Sequence, residues 1–254
     1  MVLPSSKGWT VQKTLSITDV TEMHADRVCI AGVDDHGVCL RPVLPGGVRI
    51  HHLYQDYQVV VRPRARITFD LEPCPVEAPH VEDWQINPSP LVLEGIWGGP
   101  DWEATLRKGA FDSVESIFEG HLQESRWVLP GAPTRSLGTL AGVQIDQVAL
   151  VDRESKLECR LYFTDRTDTR YRNIAVTDLT FRVFSDFEAK QESGSTKAAR
   201  KITQWLQKRR VYLRLGLTRP WAQPGARPVC WMQVTAIHTF PDYLGGRTFP
   251  DFQI

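Results

Sequence analysis

The chain has 254 residues, of which 42% are hydrophobic and 24% are charged, so it is long enough for one large or two ordinary globular domains. Its 30 Lys and Arg residues balance its 30 Asp and Glu residues, which excludes a uniformly basic or acidic protein. Any charged binding surface must therefore come from the distribution of charge along the chain.

The cysteines and the apolar runs indicate the cellular compartment. The chain has five dispersed cysteines and no Cys-x-x-Cys pair: Cys29, Cys39, Cys74, Cys159 and Cys230. An odd, dispersed set favours free thiols in a reducing compartment, and the four that lie in predicted strands are expected to be buried. No stretch is apolar enough for a signal peptide or a bilayer crossing. We therefore expect a cytoplasmic protein without membrane association.

The first hundred residues predict β-strands. Residues 27–33 and 37–43 alternate between apolar and polar side chains on either side of Asp34-Asp35-His36. Asp and Gly supply the turn chemistry between them, so this region predicts a β-hairpin.

A longer strand is predicted over residues 57–71. It places Arg62, Arg64 and Arg66 on one face, at about 7 Å per two-residue step. That spacing is close to the phosphate repeat of a nucleic-acid strand, so these arginines are candidate backbone contacts. The alternative is a solvated face whose arginines pair with the acidic residues of 70–103.

Residues 101–125 predict a helix. Asp112 followed by Glu115 fits a capping box at its start. Apolar residues then follow at helical spacing and predict a buried stripe: Val114, Ile117, Phe118 and Leu122.

A Pro/Gly cluster at residues 130–133 is the predicted boundary between two domains, residues 1–130 and 131–254. The second domain begins with three more alternating segments, at residues 143–152, 156–163 and 170–176. Both halves are therefore rich in β-strands with one helix each, which favours two small β-barrels joined by a helical segment.

A second helix is predicted after the polar connector at residues 190–197, with a buried stripe formed by Ala198, Ile202, Trp205 and Leu206. Between residues 190 and 227, ten Lys and Arg residues accompany one acid, whereas residues 70–125 are acidic. This distribution predicts a bipolar surface whose basic side attracts a polyanion, with Lys208, Arg209 and Arg210 as candidate contacts. The alternative for these three is a favourable interaction with the helix dipole.

The last two predicted strands cover residues 211–219 and 229–235. The outward face of these strands combines aromatic side chains with a guanidinium group, which is typical of a platform that stacks bases and neutralises phosphates. The candidate contacts are Tyr212, Arg214, Arg219 and Trp231. The alternative is that Trp231 packs under a loop and Tyr212 is a half-buried surface residue.

Catalytic and metal sites have weaker support. His80, Glu82 and Asp83 offer a base and two carboxylates for a metal-dependent phosphodiesterase, but Pro-rich turns also use such residues to bond their own backbone. A possible zinc set matches no common module spacing: His24, Cys29, His36 and Cys39. Neither a phosphate-binding GxxxxGK[ST] motif nor a Gly-x-Ser-x-Gly elbow is present. We expect no catalytic site, no metal and no cofactor.

Four stretches together resemble a family of prokaryotic proteins that contain a dual OB domain. They are Arg27–Asp34 with Arg41-Pro42, Pro79-His80-Val-Glu-Asp-Trp84, Val176-Thr-Asp-Leu-Thr180, and Gly216-Leu-Thr-Arg219 with His238-Thr-Phe-Pro-Asp-Tyr243. The resemblance spans nearly the whole chain and implies two OB-like barrels that act on nucleic acid in bacterial conflict or defence systems. It brings no catalytic residues with it.

The residues and the resemblance together predict two OB-like β-barrels with a helical connecting segment and a basic helix in the second half. The expected function is binding of single-stranded or locally opened DNA or RNA. A protein-interaction module of a multi-component system is the second hypothesis, and a metal-dependent phosphodiesterase is the third.

Overall fold

The structure, a computed structural model, describes residues 9–87, 91–153 and 156–252. The protein is mainly β, with two large sheets and a smaller two-stranded one among these residues. None of the helices in that part of the chain has the length and apolar composition that crossing a bilayer requires.

The first large sheet comes from the N-terminal part of the chain. Its strands and the small elements beside them are β1 (Val11–Glu22), β2 (Arg27–Val33), β3 (Cys39–Val43), β4 (Val48–Arg49), a 3-10 helix (Ile50–Leu53), β5 (Tyr54–Gln55), β6 (Gln58–Val59), β7 (Ala65–Pro73), β8 (Asp83–Ile86) and β9 (Val92–Ile96). Five strands close into a barrel in the order β1-β2-β3-β8-β7, because β7 pairs with β1 as well as with β8. β3 and β8 run parallel, and the other neighbours in the barrel run antiparallel.

The interior of the barrel is filled by every second side chain along its strands. In β7 the residues Ala65, Ile67, Phe69 and Leu71 are buried, and the side chains between them are half-buried on the outside. Closure removes the free strand edges of these five strands and places the inward side chains in one core. Phe249 from the C-terminal end of the chain also packs in this core.

The predicted strand over residues 57–71 is wrong in its first half. The chain turns at residues 61–64, and β7 begins only at Ala65. Arg64 has a φ of 76°, in the left-handed region that a strand does not contain. Pro63 cannot donate a ladder hydrogen bond, which accounts for the break at this point. Of the three candidate arginines, only Arg66 lies in a strand.

The second large sheet comes from the rest of the chain. The elements are α1 (Gly99–Lys108), β10 (Ala110–Phe111), α2 (Val114–Ile117), β11 (Trp127–Val128), β12 (Leu137–Leu140), β13 (Gln144–Arg153), β14 (Lys156–Thr164), β15 (Arg170–Val176), α3 (Leu179–Gln191), α4 (Ser195–Gln207), β16 (Arg210–Leu217), β17 (Cys230–Phe240) and a 3-10 helix (Phe249–Phe252). The strand order is β10-β12-β16-β17-β15-β14-β13, with β11 paired to β17. Only residues 141–143 separate β12 from β13, although these two strands lie near opposite ends of that order.

The helix predicted over residues 101–125 is wrong in its length. Two helices occupy this region. The first, α1, has Gly109 as its C-terminal cap. The second, α2, begins after Ser113, whose Oγ accepts a hydrogen bond from the Ser116 amide at 3.1 Å. The predicted apolar stripe is buried, but in the core of the second sheet together with Val128. β10, α2 and β11 thus belong to the second sheet, although the predicted boundary at residue 130 assigns them to the first domain.

Helix α3 is not among the sequence predictions. Asp178 caps it by accepting a hydrogen bond from the Phe181 amide at 3.1 Å. Helix α4 follows the prediction, with Ala198, Ile202 and Leu206 buried on one stripe and Trp205 half-buried beside it. The two helices pack against the core of the second sheet, and Leu179 of α3 reaches the core of the first barrel.

All five cysteines are free thiols. The predicted burial is confirmed for Cys159 and Cys230, whereas Cys29 and Cys39 are only partly buried. The difference arises because Cys29 lies beside a cleft on the outside of the first barrel rather than inside its core.

Candidate functional site

A cleft of about 850 Å³ lies between the outer face of the first barrel and the second sheet. One wall comes from β1, β2 and β3 and includes Asp19, Cys29 and Arg41. The opposite wall comes from β14 to β17 and includes Arg160 and Gln233. We call this space the central cleft. Its volume falls within the roughly 300–1,000 Å³ that is usual for ligand sites in proteins.

The wall on the second sheet is a row of aligned positions across four strands. The strand register pairs Arg160 with Ala175 and pairs Ala175 with Gln233. Gln233 in turn lies opposite Gly216 of β16. Residues two apart on a strand share a face, so Trp231 lies beside Gln233 on the same wall. A guanidinium, an amide and an indole therefore face the cleft together, separated by small residues.

Gly216 has a packing reason to be glycine. A Cβ atom at this position would lie 2.7 Å from Thr235 Cγ2 and 2.9 Å from Leu137 Cδ2, which is closer than van der Waals contact. Because no side chain projects from β16 at this position, the wall stays flat beside Gln233.

Four arginines line the central cleft: Arg41, Arg126, Arg160 and Arg219. The buried Arg41 donates from Nε to Asp83 at 2.6 Å, and Arg219 pairs with the other oxygen of the same carboxylate. Arg160 pairs with Glu158 at 2.8 Å. Arg126 is exposed and makes no ion pair with the residues that the structure describes. Two arginines share one acid and a third is unpaired, so this side of the cleft favours an anion.

Two tryptophans also line the central cleft. Trp221 is 54% exposed and lies in the loop after β16, where its backbone pairs with Val229 at 3.0 Å in both directions. Trp231 is half-buried, and its Nε1 has no hydrogen-bond partner among the described residues. An exposed indole held by a backbone bridge provides a surface on which a planar ligand can stack.

His80 lies outside the lining of the cleft, and both of its ring nitrogens are occupied by hydrogen bonds. Its Nδ1 lies 3.0 Å from Arg41 Nη2, and its Nε2 lies 3.1 Å from the carbonyl oxygen of Thr218. Because a guanidinium only donates, Nδ1 accepts and Nε2–H donates, which defines a neutral imidazole. Burial, reinforced by the neighbouring Arg41, lowers the pKa of His80 to about 4.

The two carboxylates of the proposed phosphodiesterase set are also occupied. Glu82 is buried and accepts hydrogen bonds from the amide and hydroxyl of Ser136 and from the amide of Leu137, at 2.6, 2.8 and 3.1 Å. Asp83 joins the two arginines described above. Within residues 9–87, 91–153 and 156–252, no cluster of three or more His, Cys, Asp or Glu side chains could hold a metal ion, including the zinc set considered from the sequence. These contacts give His80, Glu82 and Asp83 a structural role between the two halves of the chain.

A buried ion pair joins the first barrel to the second sheet. Asp19 of β1 accepts a hydrogen bond from Arg214 Nε at 2.8 Å, and both side chains are 2% exposed. Arg214 also donates from Nη1 to Thr139 at 2.9 Å, and Thr235 donates its hydroxyl proton to Asp19. The polar groups of this contact therefore satisfy one another.

The predicted platform is wrong for Tyr212 and Arg214. Both face away from the core of the second sheet, as the alternation predicts, but they are 6% and 1% exposed because the first half of the chain covers that face. The Tyr212 hydroxyl donates to Glu103 at 3.1 Å. Of the predicted set, Trp231 and Arg219 line the central cleft.

The predicted stripe of Arg62, Arg64 and Arg66 is also wrong as a continuous row. Arg64 pairs with Asp242 at 2.9 Å. Arg66 pairs with Asp35 at 3.3 Å and stacks over Trp97 at 5.0 Å. Arg64 and Arg66 do pair with acids, as the alternative interpretation expected, but with acids outside residues 70–103. None of the three lines the central cleft.

The basic run after α4 lies outside the central cleft. Arg209 donates to the carbonyl of Trp205 at 2.6 Å, and Lys208 caps the helix through its backbone. Arg210 makes a bidentate pair with Glu103, at 3.1 and 2.9 Å. These contacts favour the helix-end interpretation, and the Arg210 pair shows that the basic and acidic segments meet at this point.

Several residues of the central cleft are not among the candidates predicted from the sequence. They are Arg41, Arg126, Arg160, Asn173, Trp221 and Gln233. Alternation does place Arg160 and Gln233 on outward faces, and a tryptophan in a Pro/Gly-rich loop is an unusual choice for position 221. The two walls of the cleft come from distant parts of the chain, so no local sequence pattern shows that they face each other.

Three buried groups predict how stability depends on pH. Burial lowers the pKa of His80 and His238 to about 4, and the Nε2–H of His238 donates to the carbonyl of Thr18 at 3.0 Å. The unfolded value is about 6.5, so the stabilisation from each neutral histidine is present above about pH 6.5 and is lost as the pH falls toward the folded pKa. Burial raises the pKa of Asp178 to about 7, so this carboxyl has the opposite effect and favours the folded state as the pH falls.

Over this pH range, unfolding takes up a proton at each of the two histidines and releases one from Asp178, a net uptake of about one proton. We therefore expect the free energy of unfolding to fall by about 1.4 kcal/mol per pH unit between about pH 6.5 and pH 5. Urea unfolding at several pH values measures this slope. His238→Gln should flatten it, and Asp178→Asn should steepen it by removing the opposing proton. A wild-type slope of zero or of the reverse sign would contradict the assignment.

No model of a known protein family matches the chain, and no curated protein matches it at a significant level. The resemblance to dual OB proteins therefore stays a prediction.

Proposed function

We propose that this protein binds single-stranded or locally opened nucleic acid in the central cleft. The observation that carries the proposal is that four arginines and two tryptophans, Trp221 and Trp231, line one cavity. Guanidinium groups neutralise phosphates, and indole rings stack on bases of any sequence. The resemblance to dual OB proteins extends the proposal to a role in bacterial conflict or defence.

The strand orders support an OB-like assignment for both halves. The first barrel has three antiparallel strands, a parallel β3–β8 pair and an antiparallel return through β7 to β1. The second sheet repeats this order with β13, β14 and β15, a parallel β15–β17 pair, and a return through β16 to β12. If β12 and β13 are one bent first strand, the second sheet is also an OB-like barrel. OB folds bind oligonucleotides on the face of their second and third strands, and the central cleft lies on those strands in both halves.

The proposal is tested by fluorescence anisotropy with labelled single-stranded oligonucleotides of about 12 nucleotides, within the roughly 4–16 that an OB fold covers. We expect Trp221→Ala to weaken binding by about 1–3 kcal/mol, the value of one base–aromatic stack. Trp9→Ala is the matched control, because Trp9 is 64% exposed but does not line the cleft.

The salt dependence gives a second, independent measurement. Arg126→Ala should reduce the slope of log affinity against log salt by about 0.7 if Arg126 contacts one phosphate of a single strand. Arg166→Ala is the control, since Arg166 is an exposed arginine that pairs with Asp112 outside the cleft. Absence of salt-sensitive binding in the wild-type protein would contradict the proposal and favour the protein-interaction hypothesis.

A further inference from the structure

We infer that the central cleft is selective for adenine, which stacks beside Trp231 and is read on its edge by the amide groups of Asn173 and Gln233. The inference rests on the proposed nucleic-acid function and adds a base preference to it. The two amides and the indole all line the cleft.

The backbone at Asn173 is specialised. The register of β14 and β15 pairs Leu161 with Ile174 and then Phe163 with Tyr171, so two residues of β15 lie opposite one residue of β14. This is a β-bulge, and Asn173 has a φ of 58° within it. Asn is among the few residues that adopt this left-handed conformation readily. The bulge interrupts the alternation between the buried residues Tyr171 and Ile174, so that Arg172 and Asn173 are both exposed, and the Asn173 amide lines the cleft.

Both amides have free hydrogen-bonding capacity. Asn173 is exposed and makes no side-chain hydrogen bond with the residues that the structure describes. Gln233 accepts one long hydrogen bond from Thr177 at 3.4 Å, which leaves its Nε2 donor without a partner among them. Asn173 and Trp231 both line the cleft, each two residues before the paired positions Ala175 and Gln233 of the parallel strands β15 and β17.

This arrangement favours adenine among the four bases. An amide carries one donor and one acceptor side by side, which matches the N7 acceptor and the N6 amino donor of adenine. Guanine is read by arginine instead, and three of the four cleft arginines already have carboxylate partners.

The test compares an oligothymidylate of about 12 residues with the same oligonucleotide carrying one adenine, one guanine or one cytosine. We expect the adenine-containing strand to bind about 5- to 150-fold more tightly, the discrimination of one bidentate base contact. Replacing that adenine with 7-deazaadenine, which lacks the N7 acceptor, should remove most of this preference.

Two variants assign the preference to the amides. Asn173→Gly keeps the left-handed backbone without strain, and Gln233→Met keeps the side-chain length without its hydrogen-bonding groups. Each should abolish the adenine preference, measured as the ratio of the affinities of the same variant for the adenine-containing strand and for oligothymidylate. Gln204→Ala, an exposed amide on α4, is the control and should leave this ratio unchanged.

The outcomes separate this inference from the proposed function. Salt-sensitive binding of oligothymidylate without a base preference, with a guanine preference, or with an adenine preference that survives both variants, overturns the inference alone. Failure of every oligonucleotide to bind overturns both. Loss of the adenine preference in both folded variants supports the inference.

Discussion

Replacing Arg214 with Met is expected to lower the free energy of unfolding by about 3–5 kcal/mol. The reason is that Asp19 is then left as a buried charge without a counterion. The two side chains are 2% exposed and meet at 2.8 Å across the boundary between the first barrel and the second sheet. Removing one partner of such a pair leaves the desolvation cost of the other uncompensated.

Arg210 provides a matched control on the same strand. It lies four residues before Arg214 and pairs with Glu103 at 2.9 Å, but its side chain is 69% exposed. Exposed pairs contribute about 0–1 kcal/mol, so Arg210→Met should have little effect. Denaturant unfolding of both variants measures the difference.

A double variant separates the charge from the packing. Asp19→Asn combined with Arg214→Met removes both charges, and we expect it to be more stable than Arg214→Met alone. If Arg214→Met proves as mild as Arg210→Met, the ion pair does not hold the two halves together.

Replacing Glu82 with Ala is expected to cost about 3 kcal/mol of stability, because it leaves three buried donors without an acceptor. The donors are the amide and hydroxyl of Ser136 and the amide of Leu137, at 2.6 to 3.1 Å. Glu82 belongs to the loop between β7 and β8 of the first barrel, and its partners lie at the start of β12. The carboxylate therefore connects the two halves of the chain.

Glu119 is the control for this prediction. It also makes three contacts, with the amide and hydroxyl of Thr134 and with Arg135, in the residues just before Ser136. Its side chain is 28% exposed, so water can replace the lost acceptor, and Glu119→Ala should cost less than about 1 kcal/mol. Thermal and denaturant unfolding compare the two. Equal losses of stability in the two variants would show that Glu82 is not a buried connection. A Glu82→Ala protein as stable as the wild type would make the phosphodiesterase hypothesis worth testing again.

The central cleft depends on these two connections. Asp19 lines the cleft and also holds Arg214, and Asp83, next to Glu82, holds Arg41 and Arg219 at its edge. Variants that loosen the interface should therefore weaken ligand binding as well as stability. The cleft variants proposed above avoid these residues, so their binding effects can be separated from unfolding.

The sequence by itself determined the local features of this protein. Alternation identified strands such as β2, β3, β14, β16 and β17, and the helical stripe identified α4, because these patterns depend only on which side chains face a common core. It also placed Tyr212 and Arg214 correctly on the face of β16 that points away from that core.

Only the tertiary structure decided what covers that face. A polar outward face has the same sequence pattern whether it meets water or a second folded unit that supplies counterions such as Asp19. The same reason hid the central cleft, whose walls come from β1–β3 and β14–β17, more than one hundred residues apart in the chain. Alternation reports the periodicity of one strand, whereas burial of a polar face depends on partners that are distant in sequence.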